Sequence, residues 1–316
     1  LLKDVLTILD LLDSPSADGE TLAAHLRTLT PADSGCRIEV ERVSGDEGST
    51  DFITVTIPGT DGRLSGGEAP TLGVVGRLGG VGARPELIGY VSDGDGATAA
   101  LSTAARLLTM HTRGDRLPGD VIVSTHVCAW APTQPHDPVP FMSSPVDVHT
   151  MNTQEVKPEM EAILSIDTTK GNRVINHRGV AISPTVRQGY ILPVSPDLIS
   201  VLETVSGEPA AVFALSTQDI TPYGNGLDHI NSILQPAVVA TGPVVGVALT
   251  TVTPVAGCAT GASHETDIAL AARFSIEVAK GYGAGTLRFH DEAAFADLTR
   301  LYGTAEHLQT LGVSHA

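Results

Sequence analysis

Residues 91–110 read VSDGDGATAALSTAARLLTM, two Asp-Gly pairs running directly into small and long-chain helix formers. The glycines and aspartates predict a turn, and Ala97–Met110 a helix, with Asp95 placed to cap it. On one side lies TLGVVGRL (71–78) and on the other DVIVSTHV (120–127). Each is a short apolar run without polar alternation, the signature of a strand buried on both faces. Strand, helix, strand in that order predicts a parallel pair joined by a crossover helix.

The same alternation continues. EAILSID (161–167) and PVVGVALTTV (243–252) read as strands, residues 196–205 and His264–Tyr282 as helices. Upstream, Leu2, Val5, Leu6, Leu9 and Leu12 recur at helical spacing, Gly19–Leu29 reads as a second helix, and Arg37–Val43 and Asp51–Ile57 read as strands. The expected class is α/β, a three-layer fold whose mostly parallel central sheet has helices on both faces. No repeat or linker divides the 316 residues, so a single domain is expected. One interval breaks the pattern. WAPTQPHDPVPFMSSPVDVHTMN carries five prolines, and a loop is expected over about 130–160; loops of that length usually serve a function.

Composition limits the partners. Apolar residues make up 42% of the chain, enough for a large core, and the formal charge of −17 disfavours nucleic acid and anionic membranes. No apolar run reaches the roughly 18 residues of a membrane helix. The start, LLKDVLTILDLLDS, reads as amphipathic rather than as a signal peptide, so a cytoplasmic location is expected. Cys36, Cys128 and Cys258 are far apart and form no CxxC pair, which points away from a zinc knuckle or a disulfide framework.

In open parallel sheets ligands bind beyond the carboxyl ends of the strands, so the polar residues there are the candidates. They are Arg77, then Asp93 and Asp95, then His126 and Cys128, then Asp167, and finally His264 and Asp267. With Asp95 assigned to the cap, Asp93 is left without a structural task. Asp and His are ligand types of catalytic zinc, and a bridging carboxylate holds two ions. DITPYGNGLDHINS (219–232) is a second polar cluster, in which Tyr223, Asn225, Asp228 and His229 either line a pocket or satisfy their own turn. Cys128 with His126 offers a thiol–imidazole alternative, weakened by the apolar run around it.

The pattern resembles the co-catalytic di-zinc aminopeptidase superfamily. There, a motif of the type Asp-Asp-x-x-Gly-x-x-x-Leu opens a helix and supplies the bridging carboxylate; DGDGATAAL matches it with Asp93 in that place and Ala97 where glycine is usual. TLGVVGRLGGVG, EAILSIDTTKGN and GASHETDIALAARFSIEVA resemble, in order, its other ligand-bearing segments. The resemblance implies a zinc-aminopeptidase/phosphorylase-hydrolase-like fold and a divalent metal, one or two ions, zinc before manganese or cobalt. Asp93 would bridge, Asp167 would hold one ion, and His126 with His264 the other. The substrate would be a small peptide or amide, and assembly as a homo-oligomer would follow the superfamily's habit.

The departures are specific. Arg77 replaces the first ligand histidine and Gly79 its partner aspartate, and the Glu-Glu pair that supplies the general base is missing. Arg77 is then expected to bind a substrate carboxylate, and His136 or Asp228 to replace the base. An alternative is a binding protein that kept the fold without catalysis. More closely still, GRLGGVGARP, DTTKGN, TPYGNGLDHINS and GCATGASH resemble an uncharacterised bacterial family, domain of unknown function 1177.

Overall fold

The computed structural model describes residues 1–85, 87–135, 139–254 and 260–312. Helices α1 (Leu2–Leu12) and α2 (Gly19–Arg27) precede a hairpin of β1 (Arg37–Gly45) and β2 (Gly48–Ile57). The unit read from residues 71–127 follows as β3 (Leu72–Gly76), α3 (Asp95–Thr112) and β4 (Val121–Val127). Next come the short pair β5 (Thr133–Gln134) and β6 (Phe141–Met142), then α4 (Val148–Glu155) and β7 (Ala162–Thr168). The chain continues through β8 (Gly179–Ile182), β9 (Val186–Arg187), β10 (Tyr190–Ile191), α5 (Pro196–Ser206) and β11 (Ala211–Val212). It closes with β12 (Val244–Thr250), α6 (Glu265–Gly283) and α7 (Glu292–Tyr302).

The main sheet has the order β1-β2-β4-β3-β7-β12-β8-β11. Its centre, β4-β3-β7-β12, is parallel throughout, while β2 and β8 join its two sides in antiparallel fashion. Alternate residues of these strands enter two different cores. Val74, Val123, Leu164 and Val247 face α1, α3, α5 and α6, whereas Val75, Ile122, Ile163 and Ala248 face a second cluster with Phe213, Ile233 and Leu234. Burial on both sides is the reason the strands read as continuous apolar runs.

The two faces are covered differently. Helices pack the first face, but the second carries α4 over β2 and β4, together with 3₁₀ turns such as Gln218–Ile220 and Gln235–Val238. The expectation of helices on both faces thus holds on this side for one short helix. The interval expected as a loop contains that helix, whose N-cap Asp147 accepts from the Thr150 amide. Among the described residues, no helix is long and apolar enough to cross a membrane.

The start of α3 departs from the sequence reading. Its N-cap is Gly94 and no side chain caps it; Asp95 is the first helical residue and is fully buried. Helix and sheet meet closely here. A Cβ on Gly96 would lie 2.5 Å from the Arg77 carbonyl oxygen and 2.7 Å from that of Ile166.

Candidate functional site

From β3 the chain crosses through α3 to β4 on one side, and later returns to β7 on the other. This reversal beside β3 leaves a crevice at the carboxyl ends of β3 and β7, where open α/β sheets bind their ligands. Arg77 follows β3 directly, its amide donating to the Ile166 carbonyl at 2.8 Å, and Asp167 lies one residue before the end of β7. A cavity of about 870 Å³ opens there, and its lining includes Arg77, Asp93, Asp167, Tyr223, Asp228 and His229.

Asp93 sits in a 3₁₀ turn, Ser92–Gly94, just before α3. Its Oδ2 accepts from the amides of Gly79 at 2.7 Å and Gly80 at 3.3 Å. A Cβ on Gly79 would meet that oxygen at 3.1 Å, so the small residue after β3 makes room for the carboxylate. Asp167 is held by the Thr168 amide at 2.7 Å and the Ser232 hydroxyl at 2.8 Å. Burial, and then the negative charge of Asp93, push its carboxyl up to about 7, against the pull of Ser232 and Arg77. Burial and the charge of Asp167 also raise the Tyr223 phenol to about 12. Asp93 and Asp167 are therefore an electrostatically coupled pair of carboxyls within one cavity.

Behind them is a buried chain of three residues. Arg77 Nη1 donates to Glu155 Oε2, and His126 Nδ1 lies 2.8 Å from Glu155 Oε1. His126 and Glu155 are wholly buried and Arg77 is 2% exposed. The Ser124 hydroxyl donates to the Glu155 carbonyl and fixes the end of α4, while the Phe52 ring packs 5.3 Å from the imidazole. His126, expected as a metal ligand, lies outside the cavity lining because its imidazole is turned to Glu155 beneath α4.

Glu155 was not among the residues singled out in the sequence. The signal that locates it is the spacing of Val148, Met151, Asn152 and Glu155, one helical face starting after an Asp cap; the last three are buried. The prolines around this short helix obscure that period.

The remaining candidates divide. Asn225 is spent on its own turn, donating to Thr221 Oγ1 and accepting from the Leu227 amide. His229 also braces that loop, its two ring nitrogens each 3.0 Å from a carbonyl oxygen, of Leu227 and of Thr221, and the Tyr223 ring stands edge-on at 4.4 Å. Asp228 is exposed at the cavity wall rather than on its floor. His264 is exposed at the N-cap of α6 and is not among the lining residues. His136 and Cys258 lie outside the described residues. Cys128 is buried, which pushes its thiol up, and His126 is engaged elsewhere, so the thiol–imidazole arrangement is not formed.

Asp95 has a different task from the one expected. It accepts from Lys170 Nζ at 3.1 Å and Ser263 Oγ at 2.5 Å, tying two loops to the start of α3, and burial lifts its carboxyl to about 6. Among the described residues, no three His, Cys, Asp or Glu side chains come together as a metal-ligand group.

The model of a protein family described as of unknown function, DUF1177, matches residues 41–312. The chain belongs to this family. The match begins within β1 and takes in every residue of the cavity floor described above. No curated protein matches the DUF1177 chain.

Proposed function

We propose that this DUF1177 protein is a hydrolase that cleaves a peptide or amide bond of a small substrate, with a divalent ion at Asp93 and Asp167. The observation that carries this reading is the coupled carboxyl pair, Asp93 before α3 and Asp167 near the end of β7, lining one cavity where the fold presents ligands. Two anions forced together in a buried site favour a proton or a cation between them. The order of features along the chain, from Asp93 before α3 to Asp167 ending β7, supports an aminopeptidase-like fold as part of the same proposal.

The donor set fits an oxygen-preferring divalent ion such as magnesium or manganese better than zinc, because both expected histidine ligands lie elsewhere. Such an ion, when bound, polarises a carbonyl and activates water. The chain's own residues have separate tasks. Asp93 is presented in one orientation by two amides, and Arg77, held by Glu155, is placed to receive a carboxylate or carbonyl oxygen of the substrate. Tyr223 and Ser232 close the wall beside Asp167.

A second reading, a binding protein without catalysis, is favoured by one observation: the cation Arg77, rather than a histidine, follows β3. The two readings separate by experiment. Metal analysis of the purified protein, with a screen of dipeptides, cyclic dipeptides and N-acyl amino acids, should give metal-dependent turnover that Asp93→Asn and Asp167→Asn abolish. Bound ligand without turnover across the screen would establish the second reading. The proposal also takes the protein as a cytoplasmic homo-oligomer without nucleic-acid or membrane partners, which sedimentation and fractionation would test.

A further inference from the structure

The segment 219–232 gives the cavity more than its polar residues. Asn225 and His229 spend their hydrogen bonds on the segment itself, and two of the side chains it adds to the lining are Leu227 and Ile230, with 53% and 38% of their surface exposed. Their backbone is firmly held. The Ile230 amide donates at 2.6 Å to Oδ1 of Asp219, a fully buried carboxylate, and the Leu227 amide donates at 2.9 Å to Asn225 Oδ1. Asp219 Oδ2 accepts from the amide and the hydroxyl of Ser216, which anchors the same carboxylate from its other side. Burying a carboxylate is costly without such partners. Here it fixes a segment that leaves two apolar side chains in contact with water.

The apolar lining continues from other elements. Phe141 of β6, 52% exposed, borders the same cavity, together with the buried Met142 and, from α4, Met151. Single exposed hydrophobic residues need no explanation, but several that share one cavity mark a place for an apolar group. Methionine side chains adapt to irregular apolar shapes, so such a wall accepts more than one. This cavity is also the one that Asp93 and Asp167 line, and its volume of about 870 Å³ suits a whole small molecule rather than an ion alone. Charge narrows the choice further. The basic side chains among the described lining residues are Arg77, paired with Glu155, and His229, bound to its own loop, so an anionic tail would find no ready partner.

We propose that the substrate carries a neutral, apolar group beside its amide, and that Leu227, Ile230 and Phe141 form the subsite for it. A charged group would give up its hydration against these side chains without gaining a partner, whereas an apolar one releases the water that covers them. The proposal deepens the hydrolase reading and rests on it for the bond that is broken; the preference for an apolar group stands on binding.

The test is a ligand-detected NMR titration of the full chain with N-acetyl-, N-butanoyl- and N-hexanoylglycinamide, a neutral series that lengthens by two carbons at each step. Affinity is expected to rise about fivefold or more per step, as burial of two methylenes predicts. The 6-aminohexanoyl and adipoyl (free acid) analogues, with cationic and anionic tails, should bind more weakly than the hexanoyl compound. In Leu227→Ser/Ile230→Ser each step should fall to about twofold or less, because most of the apolar contact is gone. Circular dichroism checks that the variant keeps its fold, and Phe141→Ser gives the same reading from a separate element. A flat series in the parent protein, no binding of any member, or a charged tail that binds as tightly as the hexanoyl one overturns the proposal. Length-dependent binding without hydrolysis would refute the catalytic reading and leave this one standing; hydrolysis with no dependence on length would do the reverse.

Discussion

Arg77 and Glu155 form an ion pair with 3% and 0% of their side chains exposed, one residue from the end of β3 and the other from the end of α4. Removing one partner of such a pair leaves the other as an uncompensated buried charge, at a cost of about 3–5 kcal/mol. Arg77→Met and Glu155→Leu are each expected to destabilise by that order, and the double variant by less than the sum. Urea unfolding of the four proteins measures the coupling; strict additivity would show that the pair does not interact.

Asp167 is destabilising when ionised. Its carboxyl is raised from 3.8 to about 7, so the folded protein holds a proton there that the unfolded chain has released. Stability from this group is full below about pH 4 and is lost as pH rises through about 7, a loss of about 4 kcal/mol. Asp167→Asn should therefore gain stability over the parent at pH 8 and little at pH 4. Parallel pH dependences for the two proteins would refute the raised carboxyl.

Binding of a divalent ion at Asp93 and Asp167 must displace that proton. Calorimetry near pH 7 in two buffers of different ionisation enthalpy should detect proton release, and affinity should rise about fivefold from pH 6 to pH 7. Asp93→Asn should abolish both effects. Ion binding with no linked proton would place the ion elsewhere.

Gly96 is the contact on which the floor depends. A methyl group there would press on the Arg77 and Ile166 carbonyls, and the start of α3 would have to lift. Gly96→Ala is expected to cost about 1–3 kcal/mol and to weaken ligand binding, because Asp93 precedes the displaced turn. A variant with unchanged melting temperature and affinity would show that helix and sheet do not meet so closely.

Cys128 should be chemically quiet. Its thiol is buried and pushed up, whereas Cys36 is half-buried. A thiol reagent should label Cys36 well before Cys128 in the native protein, with no effect on ligand binding. Rapid labelling of Cys128 coupled to lost activity would restore the thiol reading.

The strand runs were legible because burial on both faces removes polar alternation, and the strand ends pointed to Arg77 and Asp167 for the same reason. Asp93 was legible as a residue without a cap to make. Asp95 was misread: a cap is a local event, but Lys170 and Ser263 come from loops 75 and 168 residues away and take its carboxylate instead. The contact of His126 with Glu155 was not legible either, since Glu155 follows in a segment whose prolines hide a helix of eight residues.

The sequence by itself determined the parallel centre of the sheet, the strand ends that present side chains, and the acidic balance of the chain. These follow from periodicity and composition, which are local or summed properties. Only the tertiary structure decided which carboxyls share a cavity and which histidine is withdrawn from it. Those outcomes depend on distances between residues far apart in the chain, and on burial, which turns the proximity of Asp93 into a raised carboxyl at Asp167.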